Sequence, residues 1–518
     1  MRVTVTVAAV LTCLASLCCA QTVDFSPVNL DAVQPVPGRT FTITVSYPPG
    51  PGSVYVLALD LVARATPAKL PGIGELGLMG SPFLLLMKSA ALDAQGRGSY
   101  SLALPNVGSL IGTRFYFQAL VYAKASPGGA YLSNLYVGDV TGAATHTVVP
   151  GRARLARALH TATVLQDGRV LIVGGGGGSL TAPQGTQVTE VYYPWTKRFD
   201  YTRTPQGSIT QLGAIRVLHT ATRLDDGRVL IAGGVDSQGN VLGTAEVFDP
   251  ATGLFTPVGN LVTARATHTA TKLPDGRVLI AGGTTASFVY PNVFGGATSA
   301  TEFFDPKTQT FQAGPTMRDK HMLHAAVPLR VGGSDYVLVM SGINGLFLLL
   351  FPNYTTGAEV YDVAARTFTN RLGAVTMGAM KTARAAFGAA QAGSGQVLIV
   401  GGASGTVPAA IKSAEEFNPT TGVFAALPDI PTERAAPTVT TLPSGVVLVQ
   451  GGALGSLTAP QATASCYLWS GGSFQLTAAL TSTRAGHAAV ALGSGVVLAI
   501  GGADTNATPL DTAEYYTP

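Results

Sequence analysis

The chain has 518 residues, which at roughly 150 residues per domain sets a first expectation of about three or four domains. Hydrophobic residues make up 47%, charged residues only 12%, and the net charge is +4. These values exclude a disordered chain, which needs low hydrophobicity and high net charge. They also exclude a polybasic nucleic-acid binder, because 32 scattered basic residues are nearly balanced by 28 acidic ones. With 63 glycines, the composition favours a turn-rich, all-β protein.

The first twenty residues have the pattern of a secretory signal peptide. Arg2 precedes an apolar stretch over 3–17, and the small residues of 18–20 (Cys-Cys-Ala) follow it. We predict cleavage after Ala20 and a secreted or cell-envelope protein. The apolar run is shorter than the ~20 residues that cross a bilayer, so no transmembrane segment is expected. Neither cysteine of 18–20 has a leucine three positions before it, which argues against a lipoprotein.

Residues 21–143 read as short strands separated by Pro and Gly. The strand-like segments are 40–46, 54–61, 83–87, 100–104 and 115–122. Several strands without a helical period predict an immunoglobulin-like β-sandwich domain. This module type is shared by proteins of unrelated function and indicates no activity.

Residues 144–518 consist of a repeat of about 50 to 60 residues that occurs seven times. In the third copy, Arg265 and His268 are followed by a Gly-Gly pair at Gly282 and then by Glu302. The repeated positions that we assign are Arg157, His160, Glu190, Arg216, His219, Glu246, Arg265, His268, Glu302, Glu359, Glu415 and Glu514. The fourth copy has His321 at the arginine position, and the sixth is assigned Ser465 at the glutamate position.

Each copy contains four apolar segments of strand length, and a Gly-Gly pair ends the second. Four strands per repeat predict one blade of a β-propeller. The Gly-Gly pairs and the segments Phe248-Asp249-Pro250 and Phe304-Asp305-Pro306 resemble the kelch repeat. The resemblance covers 144–518 and implies a seven-bladed kelch propeller, so the fold class is all-β with one ring in place of several domains.

The two ends of this region complement each other. The seventh copy stops at Pro518, after its third strand, while residues 146–151 precede the first copy. We predict that this segment supplies the missing outer strand of blade seven and closes the ring.

The repeated Arg, His and Glu residues are predicted to be structural. A residue that recurs in nearly every blade is explained by packing and pairing between blades, and a buried charge needs a partner. The sequence has no nucleophile elbow, phosphate loop or zinc motif, so we expect no catalytic residue, metal or cofactor.

Galactose oxidase and its relatives are also kelch-like propellers, and they provide the enzyme alternative. That resemblance implies a copper held by two tyrosines, two histidines and a cysteine joined to one tyrosine. After signal cleavage only Cys466 remains, beside Tyr467, at a position we assign to a valine in other copies. We expect a buried, unreactive thiol and no intrachain disulfide, with a copper oxidase of carbohydrates or alcohols as the alternative.

Loop lengths vary on only one side of the predicted ring. The longer loops join strands two and three or successive blades, which emerge on the same face. Loops of blades three and four concentrate aromatic residues, namely Phe288, Tyr290, Phe294, Phe347, Phe351 and Tyr354. We predict that they bind a protein or carbohydrate at or outside the cell surface, not a nucleic acid. Packing of these aromatics on each other or on the N-terminal domain, and a purely structural envelope protein, stay open as alternatives.

Overall fold

The structure is a computed structural model. It describes the backbone of ten strands between residues 29 and 139, and residues 144–518 apart from 180–181, 288–294, 348–350, 457–459 and 494. The predicted signal peptide lies outside the described residues. Among the described residues, no helix has the length and apolar character needed to cross a bilayer.

The ten strands that precede the repeats form three antiparallel sheets. Their bounds are β1 Asn29–Ala32, β2 Thr40–Ser46, β3 Val54–Asp60, β4 Ala63–Leu70, β5 Gly74–Leu78, β6 Leu85–Ala91, β7 Arg97–Ala103, β8 Arg114–Tyr122, β9 Ala130–Leu132 and β10 Tyr136–Asp139. The strand orders are β1-β2-β7, β10-β8-β3-β6 with β9 beside β8, and β4-β5. The five segments predicted from the sequence overlap β2, β3, β6, β7 and β8. Their arrangement as an immunoglobulin-like sandwich stays a prediction.

Seven four-stranded antiparallel sheets follow, one for each repeat. The first four blades and the loops between their strands contain β11 Thr145–Val148, β12 Thr161–Val164, β13 Val170–Val173, β14 Gly176–Ser179, β15 Ala182–Gly185, β16 Thr189–Tyr193, β17 Arg198–Tyr201, β18 Thr220–Arg223, β19 Val229–Ala232, β20 Ala245–Asp249, β21 Leu254–Pro257, β22 Thr269–Lys272, β23 Val278–Ala281, β24 Thr301–Asp305, β25 Thr310–Ala313, β26 Ala325–Val331, β27 Ser334–Met340, β28 Ile343–Phe347, β29 Phe351–Tyr354, β30 Ala358–Asp362, β31 Thr367–Thr369, β32 Arg371–Leu372 and β33 Val375–Thr376. The last three contain β34 Gly388–Gln391, β35 Val397–Val400, β36 Ala403–Ser404, β37 Ala409–Ala410, β38 Ala414–Asn418, β39 Val423–Leu427, β40 Thr438–Thr441, β41 Val447–Gln450, β42 Ala453–Leu454, β43 Gln461–Ala462, β44 Cys466–Ser470, β45 Ser473–Leu476, β46 Ala488–Ala491, β47 Val497–Ile500 and β48 Ala513–Thr517.

The blades are β12-β13-β16-β17, β18-β19-β20-β21, β22-β23-β24-β25, β26-β27-β30-β31, β34-β35-β38-β39, β40-β41-β44-β45 and β46-β47-β48-β11. In five blades the second strand is apolar throughout, as in Val170–Val173, and all four of those residues are buried. The exceptions are β27, which begins with Ser334 and Asp335, and β41, which ends with the buried Gln450. A strand covered on both faces by neighbouring blades has no polar side, which explains the continuous apolar run in place of alternation. The seven-bladed, all-β propeller predicted from the repeats is therefore confirmed.

The ring is closed by its own two ends. Strand β11 pairs antiparallel with β48, so that Thr145 lies opposite Thr517 and Val148 lies opposite Glu514. The first strand of the repeat region thus completes the last blade, as the sequence predicted. This pairing also covers the outer edge of β48.

Candidate functional site on the loop face

We define the loop face as the side of the ring that carries the loops between second and third strands and the connections between blades. The turn face is the opposite side. Beneath the loop face, five blades contain a buried Arg–Glu ion pair. The pairs are Arg157–Glu190 at 2.6 Å, Arg216–Glu246 at 2.9 Å, Arg265–Glu302 at 2.6 Å, Arg384–Glu415 at 2.8 Å and Arg484–Glu514 at 2.5 Å.

Each pair ties together three segments of the chain, as blade three illustrates. Arg265 donates to the carbonyl oxygens of Gly282 at 2.7 Å and Ala300 at 2.8 Å, the two ends of the loop between second and third strands. Glu302 accepts hydrogen bonds from the backbone N–H groups of Val262 at 2.7 Å and Thr263 at 2.9 Å, in the connection from blade two. The ion pair therefore anchors the base of every loop around it.

Burial and pairing act on the titration of these groups in opposite directions. Desolvation lowers the pKa of Arg216, although Glu246 opposes that shift. Burial by itself would raise the pKa of Glu514, but Arg484 outweighs it and holds the pKa below its ordinary value. The pairs are thus charged and mutually dependent, so loss of one partner leaves an uncompensated buried charge.

Blade four replaces the arginine with His321, whose side chain is fully buried. Its Nδ1 lies 2.7 Å from the carbonyl oxygen of Ser341, and its Nε2 lies 3.3 Å from Glu359 Oε1. Ser341 stands where other blades have the first glycine of Gly-Gly and has a positive φ of 56°. Its hydroxyl donates to the carbonyl oxygen of Arg384 at 2.7 Å, which ties blade four to blade five.

Blade six corrects the assignment of Ser465 to the glutamate position. Tyr467 pairs with Val449, in the register that Glu246 has with Ile231 in blade two. Ser465 lies two residues earlier, where its hydroxyl accepts a hydrogen bond from Arg434 at 2.7 Å. Cys466 is therefore equivalent to a small Ala or Thr, not to the valine assigned from the sequence.

Tyr467 takes over part of the role of the missing carboxylate. The Arg434 guanidinium lies 4.9 Å from the centre of the Tyr467 ring, and the Tyr467 hydroxyl is 2.9 Å from Thr432 Oγ1. Pro431 occupies a connection position that donates an N–H to the glutamate in other blades, so no donor is orphaned there. Without a carboxylate, burial lowers the pKa of Arg434 to about 10. The matched changes at 431 and 467 are the sequence signal for this substitution.

The repeated histidines bind threonines of the preceding blade. The Thr Oγ1 to His Nε2 distances are 3.0 Å for Thr161–His219, 2.9 Å for Thr220–His268, 2.9 Å for Thr269–His324 and 2.9 Å for Thr438–His487. Where blade five has Phe387 and blade six has Pro437, the preceding blades have Ala325 and Gly388 in place of threonine. Burial lowers the pKa of His219, His268 and His487 to about 3, so these rings are neutral near pH 7.

The residues that directly precede the repeat histidine positions form a ring around the propeller axis on the loop face. We call it the axial ring, and it consists of Leu159, Leu218, Thr267, Leu323, Ala386, Ala436 and Gly486. All seven have positive φ, between 48° and 62°. Several donate a backbone N–H to the member in the preceding blade, as Leu159 N does to Gly486 O at 2.8 Å across the closure of the ring. Six non-glycine residues held in this costly conformation indicate a site that the surrounding structure enforces.

The axial ring is apolar except for the buried Thr267 of blade three, and its side chains differ in size. Leucines represent blades one, two and four, whereas Ala386, Ala436 and Gly486 represent blades five to seven. A buried apolar cluster that includes Val217, Met322 and Ile343 supports it from behind. The centre of the loop face therefore offers an apolar floor with its smallest side chains on one side.

Four of the loops above this floor form two-stranded hairpins. They are β14-β15, β28-β29, β36-β37 and β42-β43, in blades one, four, five and six. The hairpins of blades five and six are joined, because Ala410 N donates to Gly455 O at 2.8 Å. The loops therefore differ from blade to blade, whereas the segments at their bases repeat.

The structure describes only part of the predicted aromatic set. Phe288, Tyr290 and Phe294 lie outside the described residues, as does the side chain of Phe347. Phe351 is partly exposed and pairs with residue 347 in the blade-four hairpin. Tyr354 packs against the cluster behind the axial ring, and burial raises its pKa to about 12. The axial ring itself was not predicted, since its positive φ leaves no mark in a sequence of Leu, Thr and Ala.

The side chains of Cys466 and Tyr467 do not face a common site. Cys466 and Tyr467 are neighbours in a strand, so their side chains enter different cores, one between blades six and seven and one between blades five and six. Burial raises the pKa of Cys466 to about 11. In the described part of the chain, no three His, Cys, Asp or Glu side chains converge to hold a metal ion.

The turn face carries one described cleft of about 360 Å³ at the base of β26 and β27. These strands have seven residues each, whereas the corresponding strands of the other blades have four. Two ion pairs line the cleft, Lys272–Asp225 and Arg330–Asp335 at 3.6 Å. Because each charge is paired, the cleft has no excess of either sign.

Comparison with known proteins agrees with this architecture. The kelch motif family model matches residues 218–261. The structure of a fungal alcohol oxidase of the AA5 family in complex with copper is similar over 72% of this chain and 76% of that one, with a TM-score of 0.54 and 18% identity. The structure of YjhT is similar over 64% of this chain and 99% of that one, with a TM-score of 0.45 and 12% identity. No curated protein sequence matches the chain. At 18% identity, the likeness to the alcohol oxidase concerns the fold alone.

Proposed function

Since the chain is a kelch-repeat β-propeller, we propose that it is a non-catalytic binding module that holds a protein or carbohydrate ligand on its loop face. The observation that carries the proposal is the contrast between the loops and their bases. The Arg–Glu pairs fix the bases in nearly identical form, while the loops above them differ in length and composition. A rigid scaffold with variable loops is the usual construction of a recognition surface.

Exposed apolar side chains also favour the loop face as the binding surface. Ile209, Val262 and Val407 are 55%, 60% and 63% exposed, and all three lie in loops or connections of the loop face. The other large hydrophobic residues that are exposed in the described part of the chain lie on the outermost strands, namely Val148, Leu254, Val423 and Leu476. With the axial ring, the loop-face residues give a ligand apolar surface both at the centre and at the rim.

The aromatic residues of blades three and four belong to the same proposal. Phe351 is partly exposed in the hairpin beside the axial ring, and Tyr354 borders the floor. Phe288, Tyr290, Phe294 and Phe347 are proposed as further ligand contacts on the strength of their place in the same two loops. The ligand is proposed to lie at or outside the cell surface, in keeping with the signal-peptide pattern of 1–20.

The enzyme alternative requires a set of metal ligands that the binding proposal does not. A copper oxidase of carbohydrates or alcohols would need a converging ligand set. His321 lies beside His324 in blade four and His146 lies in the blade of His487, whereas the five repeat histidines lie in five different blades. Four of them use Nε2 in a hydrogen bond to a threonine hydroxyl, so that nitrogen is not available to bind a metal ion. Copper bound stoichiometrically by the purified protein, together with hydrogen peroxide release on galactose or an alcohol, would replace our proposal with this one.

Paired substitutions of equal chemistry test the binding proposal. Ile209→Glu and Val407→Glu place a charge on the loop face, whereas Val423→Glu and Leu476→Glu place one on outer strands of similar exposure. Each variant is used to capture ligands from an envelope extract of the native host and from a glycan panel. We expect the loop-face variants to lose the captured ligand and the outer-strand variants to retain it. Equal retention by all four would contradict the proposal, and no saturable ligand would favour a structural envelope protein.

A further inference from the structure

A second surface with its own chemistry lies on the turn face of blade one, away from the loop face. It is the turn between β16 and β17, which has the sequence Tyr193-Pro194-Trp195-Thr196-Lys197-Arg198. We call it the Trp195 patch. We propose that it binds an acidic saccharide, with a sugar ring on Trp195 and a carboxylate or sulfate group on Arg198.

The other blades show what this turn looks like without such a function. In four of them, an Asp or Asn at the first position accepts hydrogen bonds from backbone N–H groups inside the turn. The bonds are Ala251 N to Asp249, Lys307 N to Asp305, Ala364 N to Asp362 and Thr420 N to Asn418, at 2.8 to 3.0 Å. Blade one has Tyr193 at that position and lacks this stabilising group. The departure from the favoured turn residue makes this position a candidate for function.

The aromatic residues of the patch form an ordered platform. The rings of Tyr193 and Trp195 lie 5.7 Å apart at 81°, an edge-to-face arrangement that fixes the indole. Both residues are partly exposed. The Trp195 side chain makes no hydrogen bond with any residue that the structure describes, so its indole N–H is available to a ligand. The chain has only two tryptophans, and Trp469 is buried at 5% exposure.

Positive charge lies directly beside this platform. Arg198 is opposite Tyr193 in the strand register, so the two side chains lie on one face of the hairpin. Arg198 is exposed and forms no ion pair with a described residue. On the other side, Arg169 interacts with Tyr193 and is already paired with Asp167 at 2.6 Å. One arginine is therefore free for a ligand, while the other helps to position the platform.

One flat aromatic ring and one free guanidinium match a single charged sugar residue. Planar, bidentate recognition of a carboxylate is the typical use of an arginine. A nucleic acid needs several phosphate contacts for affinity, and the patch offers too few cations. An acidic peptide would use the arginine but would gain little from the exposed indole. The platform and the charge together thus favour a saccharide with uronate or sulfate groups.

Calorimetric titration of the whole protein with trigalacturonate tests this assignment, with maltotriose, hexaglutamate and a thymidine hexanucleotide as comparison probes. We expect saturable binding of trigalacturonate and binding at least fivefold weaker for each of the other three. Trp195→Ala and Arg198→Gln are each expected to weaken trigalacturonate binding at least fivefold. Arg330→Gln, which removes another exposed arginine from blade four, is expected to leave it within twofold.

Three outcomes would overturn the assignment. These are no saturable trigalacturonate binding, equal binding of hexaglutamate or the hexanucleotide, and unchanged binding by Trp195→Ala with its thermal unfolding unaltered. Intrinsic fluorescence gives an independent readout, because Trp195 is the accessible one of the two tryptophans. Emission that does not respond to trigalacturonate would contradict contact with the indole. The loop-face proposal concerns the opposite face, so either proposal can fail while the other stands.

Discussion

Thr161 of blade one and His219 of blade two are joined by a hydrogen bond of 3.0 Å between Oγ1 and Nε2, and the same bond recurs at three other blade interfaces. The pattern fails at the closure of the ring. His160 is buried with both ring nitrogens unpartnered, and the residue of blade seven equivalent to Thr161 is Ala488. The closure therefore lacks a bond that other interfaces have.

Ala488→Thr is predicted to supply that bond and to stabilise the protein by about 0.5–1.5 kcal/mol. Urea denaturation measures the change. Ala488→Val is the matched control, since valine has nearly the same shape but no hydroxyl. Stabilisation by valine equal to that by threonine would show that packing, not the His160 hydrogen bond, is responsible.

Arg216→Met is predicted to destabilise the propeller by about 3–5 kcal/mol, because it leaves the buried Glu246 carboxylate unpaired. Arg434→Met in blade six leaves a tyrosine at that place, so its cost is expected to be about 2 kcal/mol smaller. Arg216→Met loses two hydrogen bonds to backbone carbonyls and Arg434→Met loses three, so the two variants are closely comparable. Equal decreases in the free energy of unfolding would mean that the Arg216–Glu246 ion pair contributes little to stability.

Acid is predicted to destabilise the propeller through its buried histidines. Their pKa values in the folded state, about 3 for His219, His268 and His487, lie below the ordinary 6.5. The unfolded chain then binds more protons between these values, so stability is complete above about pH 6.5 and falls as pH decreases. Each histidine contributes a slope of up to about 1.4 kcal/mol per pH unit.

Urea midpoints measured from pH 7.5 to 4.5 check this dependence. His219→Gln, which keeps a polar side chain without a titrating group, is expected to reduce the slope. Stability that is constant from pH 7 to pH 5 would contradict burial of neutral histidines. Below pH 4.5, protonation of Glu514 acts in the same direction, because its folded-state pKa is lowered.

Cys466 is predicted to resist thiol reagents in the folded protein. It is fully buried, and burial raises its pKa to about 11, so almost no thiolate forms at pH 8. Ellman's reagent is expected to label it only after addition of denaturant. Rapid labelling of the native protein would show that the core between blades six and seven opens.

Much of the fold follows from the repeat. The Gly-Gly pairs and the regular return of Arg and Glu predict seven blades, and the incomplete last copy predicts closure by 146–151. Blade six shows where this reasoning ends. The sequence places Ser465 at the glutamate position, because the loop before it varies in length from blade to blade. The strand register shows that Tyr467, two residues later, is the equivalent residue.

The site was less predictable than the scaffold. The axial ring depends on backbone dihedral angles that Leu159 or Ala386 adopts only because neighbouring blades hold it there. The threonine partner of each of the four hydrogen-bonded repeat histidines lies in the preceding blade, about 50 residues away. Such contacts have no local sequence pattern. They show only when blades are compared, because the blades that precede those of Phe387 and Pro437 have no threonine at the bonding position.

Replacement of the blade-four loop, residues 343–357, by the shorter loop of blade two, residues 235–244, tests most directly whether the bases hold the fold while the loops bind the ligand. The measurement is the affinity of the replaced protein for whichever ligand the wild type captures, beside its thermal unfolding. We predict a folded propeller with binding weakened at least tenfold. Wild-type affinity in the folded variant would contradict the assignment of the ligand to the loop face.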